Sequence, residues 1–434
     1  MIFLYRILYP ILFFLLSPYY LRRMIKRGGY GKKILYRLGL WPKLPKKNSD
    51  RTRIWIQAVS VGELSSIHSL LESFFSNPKI EVVLSGTTST GQRLAGQKYS
   101  AKVLAHGPFP LDWLPFSSLS WSRIQPDLAL CVDSELWPEH MNQAKKRRIP
   151  FCIINARLSD RSFARLRSLN IFKSLLIPNN LNVLASSEKQ LERWTQIGLP
   201  HSRASSTGNL KIDISPLNPL DSSKVTERKI ELGFPPPSVV LAGISTWPGE
   251  EKFLLEVLKE IRESNIDARL LLVPRHAERR NEIVNTLASF SFSFQQRTRP
   301  LKQNSDTIVH LADTTGELVS LIESADIAFL GKTLPPRCEG QNPIEPVSMG
   351  LPLIIGPACT NFKETCQELI ECGAARQGNS LPEIKRLIHA LVQNKEDRNQ
   401  MKKAGLKWRK YQGSPTQKTK QEIDNLISAK KLAA

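Results

Sequence analysis

Three acids and one lysine stand where apolar runs give way to helical or turn-forming segments. The run Ile54–Val59 ends at Ser60-Val61-Gly62, and Glu63 follows in the first turn of a helical pattern. The positive end of a helix and its free N–H groups favour an ionised carboxylate, so this position predicts a low pKa for Glu63. Taken alone, a first-turn acid is an ordinary helix-start device. The chemical alternative is a base on a ligand-facing loop, with Gly62 permitting close backbone approach. In "LCVDSELWPEH", Leu130–His140, a buried strand ends in Asp133, Ser134 and Glu135. A second carboxylate near the first can share acid, base or electrostatic work at an oxocarbenium-like centre, or it can simply cap a turn. Lys211, in "STGNLKID", can reach a phosphate or carboxylate, though a solvated surface lysine has the same pattern. "TTSTGQ", Thr87–Gln92, offers hydroxyls at a helix start, which any N-cap would also do.

The second half of the chain carries residues suited to phosphate and ribose. Gly243, Ser245 and Thr246 lie between a strand and a helix, a natural phosphate cradle. Pro274, Arg275 and His276 directly follow another strand, and arginine there suits bidentate bonds to an anion. Gly316-Glu317 opens a helix. Asn342 and Glu345 sit in a turn entering a helix, where a carboxylate can accept both hydroxyls of a ribose and Asn342 can cap.

The elements that must position these groups alternate. Apolar runs at Ile54–Val59, Ile80–Ser85, Leu128–Val132, Phe151–Asn155 and Asn182–Ala185 are separated by helical patterns such as Leu64–Phe75 and Thr90–Gln97. A second series comprises Ser238–Ser245, Ala268–Val273, Thr307–Leu311, Ile327–Leu330 and Pro352–Ile355. This is the signature of βαβ units and parallel sheets. With 434 residues, two domains are expected. The boundaries predicted are 51–212 and 225–412, joined by a Pro- and Ser-rich hinge at 213–224 and followed by a terminal helix at 413–434. Two open α/β domains on a hinge imply a cleft between them, with ligands beyond the carboxyl ends of the strands.

The net charge of +22 predicts a polyanionic partner. Ten cations and no acid lie between Arg22 and Lys47, just after the apolar segment 1–21. The charge-free stretch Ile7–Leu21 has 15 residues, whereas a span needs about 20. With Arg6 and Pro10 inside it, the segment reads as a dipping or tilted anchor, and 22–50 as a basic belt on an anionic cytoplasmic leaflet. The six cysteines form no CxxC pair, so neither a disulfide framework nor a zinc site is expected. Charge alone leaves a nucleic-acid-binding protein open, but no helix-turn-helix, zinc finger or basic–aromatic strand pattern supports it.

Taken together, "VSVGE", "SELWPE", "NARLSDRS", "GNLKID", "STWPGEE", "VPRHAER", "GELVSLIESAD", "NPIEP" and "GPACTNFKE" occur in the order of the Kdo (3-deoxy-D-manno-octulosonic acid) transferases, and the chain resembles that family along nearly its whole length. The resemblance implies a GT-B fold, two Rossmann-like domains facing across a cleft, with an N-terminal membrane anchor at the bacterial inner membrane and the domains on its cytoplasmic face. It implies inverting transfer of one or more Kdo units from CMP-Kdo to a lipid A precursor (lipid IVA), without a catalytic metal or a nucleic-acid partner. By motif match Glu63 corresponds to the general base, and Glu135 and Lys211 to transition-state stabilisers. The CMP site corresponds to Pro274, Arg275, Thr315, Gly316, Glu317, Asn342, Pro343, Ile344 and Glu345. Relatives often have His at Trp247, Gly-Gly-Ser at Gly331-Lys332-Thr333 and Gly-Gly-His at Glu339-Gly340-Gln341. A nucleotide-sugar epimerase on the same fold is the competing enzyme class.

Overall fold

The computed structural model describes residues 1–26, 31–169, 172–215, 219–299 and 306–432. The chain forms two compact units, Met1–Ile214 with Ser414–Ala434, and Ser215–Gly413. The first holds seven parallel strands: β1 (Thr52–Gln57), β2 (Ile80–Gly86), β3 (Ala105–Pro108), β4 (Leu128–Val132), β5 (Phe151–Ala156), β6 (Leu181–Ala185) and β7 (Ala204–Ser206). Their order is β3-β2-β1-β4-β5-β6-β7. Alternation sends Trp55, Val83, Ala129 and Phe151 to one apolar layer, and Ile54, Ile56, Leu128, Leu130 and Cys152 to the other. Both faces are therefore covered, as an all-parallel sheet requires.

The second unit repeats the plan with β8 (Val239–Thr246), β9 (Ala268–Pro274), β10 (Phe294–Gln296), β11 (Val309–Leu311), β12 (Ile327–Leu330), β13 (Leu353–Ile355) and β14 (Ala375–Gln377), ordered β10-β11-β9-β8-β12-β13-β14. The four strands absent from the sequence reading, β3, β7, β10 and β14, are the edges of the two sheets. Edge strands are short and bury less apolar surface, so they lack a strong hydrophobic run.

Other expectations change in detail. The helical pattern Leu64–Phe75 is two helices, Val61–Ser66 and His68–Phe75. Ser66 donates its hydroxyl to the Glu63 carbonyl at 2.6 Å, and the turn that follows buries Ile67 completely. Part of the segment read as a hinge is helix, Ser222–Glu231, capped by Asp221; residues 216–218 of it lie outside those described. The last helix, Pro415–Leu432, packs on the first unit. There Ile423 is fully buried, Thr416 N–H donates to Asp213 at 2.6 Å, and Lys430 pairs with Asp127 at 2.9 Å.

The apolar N-terminus is one helix, Ile2–Lys26, with Pro10 and Pro18 inside it. Among the described residues no helix is long and apolar enough to cross a membrane. The basic run after it is not uniformly solvated. Arg37 is buried and donates to the Phe109 carbonyl at 2.6 Å, Lys33 to the His106 carbonyl at 2.9 Å, and Lys47 pairs with Asp127 at 2.6 Å. These cations tie the segment to the first sheet, which the sequence pattern alone could not distinguish from a free belt. Arg27 lies outside the described residues, as do the side chains of Arg23, Lys26 and Lys32.

Candidate active site

In the first sheet the strand order reverses between β1 and β4, so their outgoing loops diverge and leave a crevice at the carboxyl ends. Glu63 follows β1 and Glu135 follows β4. Ser60 caps the helix by accepting the Glu63 N–H at 3.3 Å, and its hydroxyl donates back to Glu63 Oε1 at 3.2 Å. The other oxygen, Oε2, accepts the Val59 N–H at 2.6 Å.

Those bonds favour the carboxylate, yet the expectation of a low pKa for Glu63 does not hold. Burial, followed by the neighbouring Asp133 carboxylate, raises it to about 8 against the pull of Val59 and Ser60. Desolvation and like charge outweigh the helix start here. Glu135 is also pushed up, to about 7, by burial and Asp133, opposed by hydrogen bonds from Trp137 and Gln57. The indole N–H of Trp137 reaches Glu135 Oε2 at 2.9 Å. Lys211 is lowered to about 8 by burial and by Arg157, with Asp133 and Glu63 pulling the other way. The structure thus brings Glu63, Glu135 and Lys211 into one electrostatic neighbourhood.

Asp133, Asn155 and Arg157 organise that neighbourhood and were given no separate role from sequence. Asp133 and Asn155 have positive φ, 67° and 52°, a conformation uncommon for residues with a side chain. Asn155 Nδ2 donates to Asp133 Oδ1 at 2.8 Å, and Asn155 Oδ1 accepts the Leu210 N–H at 3.0 Å. Arg157 Nη2 donates to Asp133 Oδ2 at 2.9 Å. One asparagine therefore joins the acid beside Glu63 to the turn that carries Lys211. The available signal was a buried amide in an otherwise apolar strand. Thr88, in the hydroxyl-rich loop, caps its helix by accepting the Gly91 N–H at 3.1 Å.

In the second sheet the order reverses between β8 and β12. At the phosphate cradle expected from Gly243, Ser245 and Thr246, the chain's own carboxylates take the Thr246 hydroxyl and neighbouring N–H groups. Glu250 accepts N–H groups from Trp247 (2.8 Å), Lys332 (2.8 Å), Thr333 (3.0 Å) and Leu334 (3.2 Å). Glu251 accepts the Thr246 hydroxyl at 2.8 Å and pairs with Arg279 at 2.7 Å. Gly243 is a packing glycine, since a Cβ there would run into Leu254.

Just outside this internal anion site, Trp247 gathers cations. Lys332 Nζ lies 4.5 Å and the Arg337 guanidinium 4.6 Å from its ring, and His276 meets it edge-on at 5.2 Å. Lys332 also pairs with Glu339 at 3.4 Å. Trp247, Lys332 and Glu339 therefore form one contact set. Arg275 is exposed after β9, whose last residue, Pro274, is buried. Its charge acts on Glu345, whose carboxyl is raised by burial. Asn342 accepts the Ile344 N–H at 3.0 Å just ahead of the helix Ile344–Ser348, whose N-cap is Pro343, and its amide holds Glu345 Oε1 at 3.2 Å. Arg275, Asn342 and Glu345 are thus brought together. Glu317, after Thr315 and Gly316, turns instead to Arg297 (3.1 Å) and the Thr314 hydroxyl.

Residues 32–214 match the family model for 3-deoxy-D-manno-octulosonic-acid transferase (kdotransferase). A 3-deoxy-D-manno-octulosonic acid transferase of Haemophilus influenzae is 31% identical over 359 residues, 81% of this chain and 82% of that protein. One from Rickettsia bellii is 26% identical over 389 residues, 89% and 90% of the two chains. Among solved structures, a UDP-GlcNAc 2-epimerase from Neisseria meningitidis is similar with a TM-score of 0.56 at 15% identity, covering 87% of this chain and all of that one. At that identity the likeness concerns the fold alone, a two-domain α/β GT-B architecture.

Proposed function

This chain belongs to the 3-deoxy-D-manno-octulosonic acid transferase family, and on that premise we propose that it moves Kdo from CMP-Kdo to a hydroxyl of a lipid A precursor, with inversion. The observation that carries the reading is the convergence of Glu63, Glu135 and Lys211 at the order reversal of the first sheet. The acceptor oxygen attacks the anomeric carbon from the face opposite CMP, and the bond to the CMP phosphate oxygen breaks with its electron pair. Glu63, in its ionised form, takes the hydroxyl proton. A carboxylate with a pKa near 8 is a stronger base for a sugar hydroxyl than one near 4, at the cost of being less ionised at neutral pH. Glu135 offsets positive charge developing on the sugar ring, and protonated Lys211 the negative charge on departing phosphate. No metal enters this scheme. In the second unit Arg275, Asn342 and Glu345 hold CMP, Glu345 through the ribose hydroxyls.

The membrane belongs to the same reading. Phe3, Ile7, Ile11, Leu12, Phe14 and Leu15 are exposed on the N-terminal helix. That apolar face supports an interfacial, monotopic seat at the cytoplasmic leaflet, where an anionic phosphoglycolipid resides. The test is incubation with CMP-Kdo and a tetraacyl lipid A precursor, with products resolved by mass. One or more Kdo increments are expected; an unmodified acceptor alongside intact CMP-Kdo overturns the proposal.

A further inference from the structure

Polar contacts from three residues fasten the first turns of the N-terminal helix to the start of the helix that follows Glu135. Arg6 grips Glu139 through Nε to Oε2 at 2.8 Å and Nη2 to Oε1 at 2.9 Å. Tyr5 donates its hydroxyl to Asp112 at 2.5 Å, and the Asp112 N–H donates to the Tyr9 hydroxyl at 3.3 Å. Glu139 and Asp112 are completely buried. Asn142 and Gln143 add neutral bonds to Glu139 at 3.4 and 2.6 Å, but Arg6 is its one ion-pair partner among the described residues.

Both acids belong to the start of one helix, Pro138–Lys146. Glu139 is in its first turn, and Asp112 caps it by accepting the Glu139 and His140 N–H groups at 3.2 and 2.9 Å. The residue that opens this helix is Trp137, whose indole holds Glu135 and whose ring packs on Phe109 at 5.1 Å. A buried carboxylate persists only with its charge compensated. Without Arg6 the buried Glu139 carboxylate loses its ion-pair partner, and its departure from the pocket unwinds the turn on which Trp137 and Glu135 stand.

We propose that Arg6 and Tyr5 are positioning residues, which lock the N-terminal helix to Glu139 and Asp112 and thereby hold the Trp137–Glu135 turn in its working geometry. The apolar segment is then part of the scaffold of the active site as well as its seat on the bilayer. This rests on the role given above to Glu135.

The test uses the full chain in detergent with dispersed acceptor, so that attachment to a membrane is not limiting. Arg6→Ala is expected to lower kcat by about 10–100-fold, the scale of a small misplacement of a reacting group, with acceptor KM little changed. Amide exchange over residues 137–143 should quicken in parallel, and Arg6→Lys should recover part of both. Wild-type kcat, or unchanged exchange, in Arg6→Ala overturns the proposal. Should Arg6→Ala not fold, the doubly neutral Arg6→Met/Glu139→Gln chain decides. Restored protection with restored kcat upholds the lock, and restored protection without kcat overturns it. Absence of Kdo transfer by the wild-type protein would instead fell the functional reading, and the exchange measurement would still report on the coupling.

Discussion

The Asp133 carboxylate presses on Glu63, and Asn155 and Arg157 hold it there. Ionisation of Glu63 is thereby disfavoured beyond the effect of burial, while the same negative charge supports the proton on Lys211. Asp133 therefore acts on both groups at once.

The pH profile should show this. As the proposed base, Glu63 is competent only when ionised, so activity is expected to rise with pH through about 8; Lys211, the proposed phosphate partner, loses its charge above about 8, so activity is expected then to fall. Asp133→Asn lowers the pKa of both groups, and the bell should slide toward acid by about one unit. The measurement is kcat/KM against pH. Limbs that stay in place would assign them to other groups.

Glu63→Gln should cost about 100–10,000-fold in kcat and yet stabilise the fold. A group whose folded pKa is raised favours folding fully below its unfolded value, and that contribution is lost as pH rises through the folded value, here about 8. Calorimetry should therefore show the variant melting above wild type at pH 9, by about 1–2 kcal/mol in stability, and level with it near pH 4.

Trp247→Ala removes the ring against which Lys332 and Arg337 rest. The cluster adjoins the proposed CMP site through His276, next to Arg275, so the expected loss of about 1–2 kcal/mol corresponds to a rise of about 5–30-fold in donor KM, with acceptor KM unmoved. Steady-state kinetics with each substrate varied in turn checks it; a rise confined to the acceptor would place the cluster elsewhere in the reaction.

Gly331→Ala would drive a methyl group into the carbonyl oxygens of Ser245 and Ile244, where β12 passes β8. Backbone cannot step aside as a flexible side chain can, so the second unit should lose about 1–3 kcal/mol. Thermal unfolding indistinguishable from wild type would mean the loop relaxes freely.

The interior of both sheets was legible because fully buried parallel strands such as Leu128–Val132 and Ile327–Leu330 are unbroken apolar runs. The edges were not, since Ala105–Pro108 and Ala375–Gln377 carry no such run. The placement of Glu63 and Glu135 just after strands was also legible, since they follow β1 and β4. The proton affinity of Glu63 was not, because it depends on burial in the fold and on Asp133, 70 residues away in sequence. The internal anion site of Glu250 was not legible, because its donors at Lys332, Thr333 and Leu334 come from a loop more than 80 residues later.

The second unit is an insertion in the first, which is completed by Pro415–Leu432. On the ribosome, residues 215–413 emerge whole before the first unit has its last helix, with Ile423 still missing from beside Leu210. The later-encoded unit is thus able to finish folding first, and the unit that carries Glu63 matures only once its last helix has been made.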